Sequence, residues 1–383
     1  MSINCIYTYM KKTNIPSTYC SAAFRQIYSD NAGRYRLCCH ATVHPSLAKY
    51  SSLNTTPFEY FLSDEMEDIR QDMFEGKPIA GCEGCYKLEE RGHESWRQWK
   101  YNTIYPVIYN VEKVALKLRI FGSFCNLGCY MCYPYNSSTR RIHMKNIDIP
   151  FPGENAVRNL SSGKYENVID DIIDNIELVD YMNITGGEPL QLPRLYEFLA
   201  RIPDKNAKNI TLSFDTNLSE LEFRGHTVYD IIAKFKKVQL GVSCDHYGDR
   251  LAWIRYPLDV ARFENNLQLV KDNINNINVT VSLLNIDSID DIIKYYSEFN
   301  VTVCGIVCTP EMISIRNLPD SLKAYYLLKY DKYDMVVQEL KKPAIPGSLE
   351  KGLEYCRKLN DGRDMDFNQL FDNLLCSIEQ GPH

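Results

Sequence analysis

The stretch Val114-Ala-Leu-Lys-Leu-Arg-Ile-Phe121, followed two residues later by Phe124-Cys125-Asn-Leu-Gly-Cys129-Tyr-Met-Cys132, decides how the rest of the chain reads. Its first part is a strand-like run and its second is a loop carrying three cysteines at C-x3-C-x2-C spacing. Three thiolates so spaced can surround one iron-sulfur cubane, and soft thiolates suit iron-sulfur better than hard metals. Most 4Fe-4S clusters take four cysteines, yet the next cysteine downstream is Cys244. A missing ligand leaves one iron open, and a catalytic metal centre needs such an open position. Spacing alone also admits a structural Cys3His zinc knot with His143 as fourth ligand.

Outward from this stretch, strand-like and helical texture alternate. After a polar segment, Ile169, Ile172, Ile173 and Ile176 mark one helical face, and 178–185 reads as a strand. Further strands are expected at 209–214, 237–244, 278–284 and 301–307, with helices at 228–235, 260–270 and 286–299. Six strands alternating with helices predict an α/β fold with a parallel sheet, open or curled into a partial barrel. Ligands of such sheets sit beyond the carboxyl ends of the strands. The loops 125–132 and 186–189 each follow a strand directly and are expected on one face.

The 383 residues allow two or three domains. Hydrophobic residues at 45% and charged residues at 24% are ordinary for a soluble globular protein. The formal net charge of -6 gives no support to nucleic-acid binding. Residues 1–12 contain no long apolar stretch behind a basic segment, so no secretory signal is read there. No run approaches the ~20 apolar residues that span a bilayer. A cytoplasmic location is therefore expected, and in a reducing compartment fourteen cysteines point to metal ligands rather than disulfides. Nine of them fall in the first 132 residues.

Residues 1–108 read as an irregular Cys-rich module that a metal staple would help. The core is placed at 109–310. A C-terminal helical cap is expected at 311–383, with apolar helical segments at 325–340 and 367–375.

The expected strand at 178–185 ends in Gly186-Gly187-Glu188-Pro189. Two glycines allow close backbone approach to a ligand and positive φ, and a carboxylate can accept from an ammonium group. Alone, this is also an ordinary turn with Pro at the first helical position. Joined to the cysteine loop, it resembles the radical SAM (S-adenosylmethionine) superfamily, whose core is a partial (β/α)6 TIM-like barrel. The resemblance implies that Cys125, Cys129 and Cys132 ligate a 4Fe-4S cluster. The open iron would chelate SAM, whose reductive cleavage gives a 5'-deoxyadenosyl radical that takes hydrogen from substrate. By the same resemblance the Met131 backbone faces the adenine and Gly186, Gly187, Glu188 and Pro189 hold the methionine amino group. Asn217, Ser243 and Arg255 match positions that contact ribose and carboxylate; Ser and Asn after strands are also ordinary turn residues.

Upstream, Cys20, Gly33, Cys38 and Cys39, then Gly81-Cys82-Glu-Gly-Cys85, give a glycine hairpin with cysteines plus a C-x2-C. These, with Glu89, Gly92, Ser95 and Arg97, resemble the twitch or SPASM auxiliary-cluster module, here preceding the barrel rather than following it. The resemblance implies a second 4Fe-4S cluster on Cys20, Cys38, Cys82 and Cys85, with Cys39 spare or in place of Cys38. A structural zinc site has the same look.

Three further groups have two readings each. Cys244 and Cys308 are either hydrogen donors to a substrate radical or small core residues. Asp245 is a general base or a capping residue. Trp96 and Trp99 with Arg97 and Lys100 either stack on a nucleotide or pack between modules. The resemblance implies an enzyme recharged by a flavodoxin or ferredoxin. Auxiliary clusters in the family direct the expectation to a peptide or protein side chain. A sugar or nucleotide metabolite is the enzymatic alternative, and a non-catalytic zinc-binding interaction protein is the alternative of another class.

Overall fold

The computed structural model describes residues 15–30, 32–98, 102, 113–146, 166–360, 362–363 and 365–381. Residues 1–12, Trp99 and Lys100, which entered the expectations above, lie outside these. The chain falls into two compact units. Unit 1 comprises residues 1–122, 155–214 and 229–238, and unit 2 comprises 123–154, 215–228 and 239–383. This division runs along other lines than 1–108, 109–310 and 311–383.

The fold is α/β, with eight strands in one mainly parallel sheet, consistent with the expected partial barrel. Unit 1 carries β1 (Gln26–Ser29), β2 (Tyr35–Arg36), β3 (Val114–Leu118), β4 (Val179–Ile184) and β5 (Thr211–Thr216). Their order is β5-β4-β3-β1-β2, and only the β1–β2 pair is antiparallel. Four of the five β3 residues are fully buried, the pattern of a strand covered on both faces. Leu118 lies opposite Ile184, which lies opposite Phe214, so β3 and β4 end level and β5 runs two residues further.

The region read as irregular is built into this sheet. Gln26 to Tyr28 of β1 pair in parallel with Ala115 to Lys117 of β3. Helix Asp64–Phe74 packs against residues 22–25 and buries Met66, Ile69 and Met73. Ser63 caps it by accepting from the Met66 N–H, a type of cap worth about 1 kcal/mol. The buried guanidinium of Arg70, on the same helix, donates to the Ala23 and Phe61 carbonyls.

Unit 2 carries β6 (Lys237–Ser243), β7 (Ile274–Val281) and β8 (Val301–Ile306), parallel and in the order β8-β7-β6. Helices Val260–Leu269 and Ile289–Tyr295 fill the intervals between them. The C-terminal helices Asp320–Lys329, Asp334–Leu340, Ser348–Asn360 and Asp372–Gln380 send Leu322, Val336, Leu359 and Leu374 into one core with Leu283, Ile286 and Ile289. Each such side chain contributes about 1.5–3 kcal/mol on burial. The C-terminal segment is thus an integral part of unit 2's core. Among the described residues no helix is long and apolar enough to cross a membrane.

Candidate functional site

In unit 2 the cysteine loop is held on two sides. On one side, hydroxyls at the start of helix Ser138–Asn146 fasten it. Thr139 Oγ1 donates to the Cys125 carbonyl at 2.6 Å and Ser137 Oγ to the Leu127 carbonyl at 2.7 Å, while the Cys125 N–H donates to Ser138 Oγ. On the other side, the Gly128 and Tyr130 N–H groups donate to the Tyr256 and Ile254 carbonyls at 2.6 and 3.0 Å. The segment 254–256 therefore backs the loop like a short strand.

A Cβ on Gly128 would lie 2.5 Å from His143 Nδ1, so any larger residue there would displace the ring. His143 thus seats its ring against the loop backbone. Burial, then Arg363 and Arg140, pull its pKa down and keep it neutral. Among the described residues, no three His, Cys, Asp or Glu side chains converge as they would around a single metal ion.

Each cysteine of the loop has polar company. Asn217 Nδ2 donates to Cys125 Sγ at 3.7 Å and to Asn126 Oδ1 at 3.1 Å, while its Oδ1 accepts from the Ser219 N–H and hydroxyl. Arg255 Nη1 donates to Cys129 Sγ at 3.8 Å. Arg255 also meets the fully buried Asp245 at 2.6 Å, an ion pair in distance though not aligned as a hydrogen bond. The other Asp245 oxygen accepts from the Thr280 N–H at 2.8 Å. Burial pushes the Cys129 thiol up against the pull of Arg255, and burial with the nearby Cys129 pushes Cys132 up to about 12. Left alone these thiols stay protonated; a metal that binds them takes the thiolates.

Two further guanidiniums, not singled out from the sequence, surround the loop. Arg140, with no exposed surface, donates from Nη2 to the Tyr130 carbonyl, which also accepts from the Tyr355 hydroxyl. Among the described residues its Nε and Nη1 have no hydrogen-bond partner. Arg363 donates to the Trp253 and Gly128 carbonyls and lies over the rings of Trp253 and Tyr256. Burial pulls both guanidiniums down, to about 10, so both remain charged at neutral pH. A loop of three thiols set among buried cations with orphaned N–H groups fits an anionic thiolate-bound cluster. A buried charge left unpaired costs several kcal/mol, which such a cluster would relieve.

Of the other expected residues in this unit, Ser243 ends β6 beside Asn278, and Met131 packs against the core. Cys244 is fully buried, its thiol donating to the His246 carbonyl at 3.0 Å. Cys308 is exposed beside Glu339.

In unit 1 the glycine turn follows β4 directly. Gly186 and Gly187 have φ of +106° and +54°, and a Cβ on Gly186 would stand 3.3 Å from the Gly122 carbonyl oxygen. Only glycine lets this turn lie so close to the segment leaving β3, which Arg119 Nε ties further by donating to Thr185 Oγ1. Glu188 is buried and accepts from the Leu190 N–H at the start of a short 3-10 helix led by Pro189.

Unit 1 also holds the N-terminal cysteines. Burial raises Cys20 well above its ordinary value, and the charges of Cys38, Cys82 and Cys85 raise it further. Cys82 is pushed up to about 12 by burial, then by Cys38 and Cys85. Cys39 acts on Tyr28 and on its neighbour Cys38. The four thiols of the expected second site thus feel one another, but among the described residues no three of them converge as they would around a metal ion.

Cys82 leads helix Glu83–Glu90. Near that helix's end Glu89 pairs with Arg97 and accepts from Ser95 Oγ. Arg97 Nη1 in turn donates to the carbonyl of Tyr19, the residue before Cys20. The run Glu89, Ser95, Arg97 thus clasps the helix led by Cys82 to the segment that carries Cys20. Trp96 stacks on His40, with centroids 4.4 Å apart.

Residues 120–298 match the description Radical SAM superfamily. Over that span the chain carries a region similar to the radical SAM superfamily. No curated protein matches the chain.

Solved structures similar to it include native anSMEcpe with bound AdoMet (18% identity, TM-score 0.39, 60% of this chain and 64% of that one). Streptococcus suis SuiB bound to precursor peptide SuiA gives 15% identity and a TM-score of 0.37 over 76% of this chain and 54% of that one. TYW1 with a lysine-pyruvate adduct bound gives 16% identity and a TM-score of 0.29 over 62% and 77%. The chain thus spans about two thirds of the anSMEcpe chain and about half of the SuiB chain.

Proposed function

We propose that this protein cleaves SAM reductively and uses the product to abstract hydrogen from a peptide or protein side chain. Cys125, Cys129 and Cys132 would ligate the 4Fe-4S cluster. When bound, that cluster supplies the electron that breaks the sulfonium carbon-sulfur bond to give a 5'-deoxyadenosyl radical. The observation that carries the reading is the set around Cys129: a three-thiol loop in which Arg255 reaches the central sulfur while Asp245 balances its charge.

The protein's own residues do the holding. The 254–256 segment and the Ser137–Thr139 hydroxyls fix the loop. Asn217 and Arg255 present polar groups beside its sulfurs, and we assign them with Ser243 to the ribose and carboxylate of SAM. The Met131 backbone is assigned to the adenine, and Gly186, Gly187, Glu188 and Pro189 to the amino group. Asp245, paired and fully buried, anchors Arg255.

A second cluster on Cys20, Cys38, Cys82 and Cys85 supports a peptide substrate, since auxiliary clusters accompany such chemistry in the family that the N-terminal motifs resemble. A flavodoxin or ferredoxin would serve as electron donor. The test is anaerobic reconstitution followed by a deuterium-transfer screen against peptides encoded beside the gene. The reading expects a brown protein, bleached by dithionite, that releases 5'-deoxyadenosine and carries label from a peptide. Colourless protein with tightly bound zinc and no SAM cleavage would overturn it.

A further inference from the structure

The three cations around the cysteine loop are not equivalent. Arg255 has its own counter-ion in Asp245. Arg140 and Arg363 form no ion pair among the described residues, although both are buried, at 0% and 7% exposure. Their surroundings are carbonyls, the rings of Tyr355, Trp253 and Tyr256, and the thiol of Cys356, which burial pushes up to about 12 and so keeps neutral. They also repel each other. Two buried like charges without a carboxylate are an expensive arrangement, and the groups beside them that turn anionic on binding a metal are the loop thiols. Arg140 acts on Cys129 and Cys132, and Arg363 on Cys129.

We infer that Arg140 and Arg363 are the counter-ions of the cluster, positioning residues that raise its reduction potential. This rests on the reading that the loop binds a 4Fe-4S cluster. Reduction adds one electron, taken from an outside one-electron donor, and neither forms nor breaks a bond. It makes the thiolate-bound cubane more negative by one charge, so a nearby fixed cation stabilises the reduced form more than the oxidised one. Arg140, with partnerless Nε and Nη1 and two ligand sulfurs in its field, has the larger influence.

The experiment is a dithionite titration of the full chain, reconstituted anaerobically and followed by electron paramagnetic resonance, with added SAM marking the loop's own signal. Arg140→Gln and Arg363→Gln should move the midpoint to more negative potential, Arg140→Gln further, with iron content unchanged. Arg140→Lys and Arg363→Lys keep the charge and should restore most of the shift. They also serve as folded controls should a Gln variant misfold.

A normal cluster whose midpoint moves in none of the variants, or moves equally in Lys and Gln, would overturn the inference alone. Reduced SAM affinity at an unmoved potential would do the same, assigning the guanidiniums to cosubstrate instead. Failure of the unaltered protein to assemble any cluster on the loop would overturn the underlying reading as well.

Discussion

The two cysteine groups of this chain are built on opposite plans. The N-terminal group would draw Cys20, Cys38, Cys82 and Cys85 from three separate segments, and the Arg97–Glu89 pair ties the helix led by Cys82 to the residue before Cys20. The loop group offers three thiols from a single turn, and its remaining surroundings are side chains of other kinds: an amide, a balanced guanidinium and two unbalanced ones. Four thiols complete a cubane and make a staple; three leave a corner for a cosubstrate. The difference teaches that the count of cysteines matters less than what stands where the fourth would be.

The sharpest way to break this comparison is Cys129→Ala. SAM cleavage should vanish while the N-terminal metal stays, as read by 5'-deoxyadenosine release and by iron content. Cleavage that persists would mean the open iron has been assigned to the wrong cysteines. The reciprocal change, Cys82→Ala with Cys85→Ala, should halve the iron, from about eight atoms per chain to about four. Zinc released in place of that iron would show the staple to be an ion.

Less drastic changes sharpen the contrast between the two surroundings. Arg255→Ala should weaken SAM cleavage by about 10- to 100-fold, the usual scale for a group that supports metal ligands, with thermal stability lowered because Asp245 is left buried without its cation. Asp245→Asn should give a milder version of the same defect. Arg97→Ala should cost about 3 kcal/mol of stability, as expected on breaking a buried pair. It should speed loss of the N-terminal metal to chelator, with the loop's metal unaffected.

How much of this was legible beforehand depended on whether a feature was local. The strands of the core show as apolar runs, and β3, β4 and β6 fall within a few residues of expectation because their buried positions dominate them. Strand β7 begins at Ile274, four residues before the expected 278, since Asn275, Asn276 and Asn278 mimic a turn. In fact Asn276 and Asn278, both half-buried, alternate with buried Ile277 and Val279. Strand β1 escaped because Gln-Ile-Tyr-Ser is buried at all four positions and shows no alternation. Its partner β3 lies nearly ninety residues on, at Ala115 to Lys117.

The site divides in the same way. The cysteine loop and Asn217 follow strands, where short-range pattern finds them, while Arg255 ends helix Gly248–Ile254. Arg140 belongs to a helix so polar, Ser-Thr-Arg-Arg-Ile-His-Met-Lys-Asn, that it reads as surface. Arg363 meets Gly128 across 235 residues of sequence. A buried cation looks like an exposed one until the fold shows what is packed around it.

The central claim is that a cluster held by three cysteines keeps a corner free for SAM. It is tested most directly by the paramagnetic resonance of the dithionite-reduced Cys82→Ala, Cys85→Ala protein, recorded with and without SAM. A signal that changes shape when SAM is added is the predicted result. A cluster signal identical in both samples would contradict it, because an iron already fully ligated has nowhere for SAM to bind.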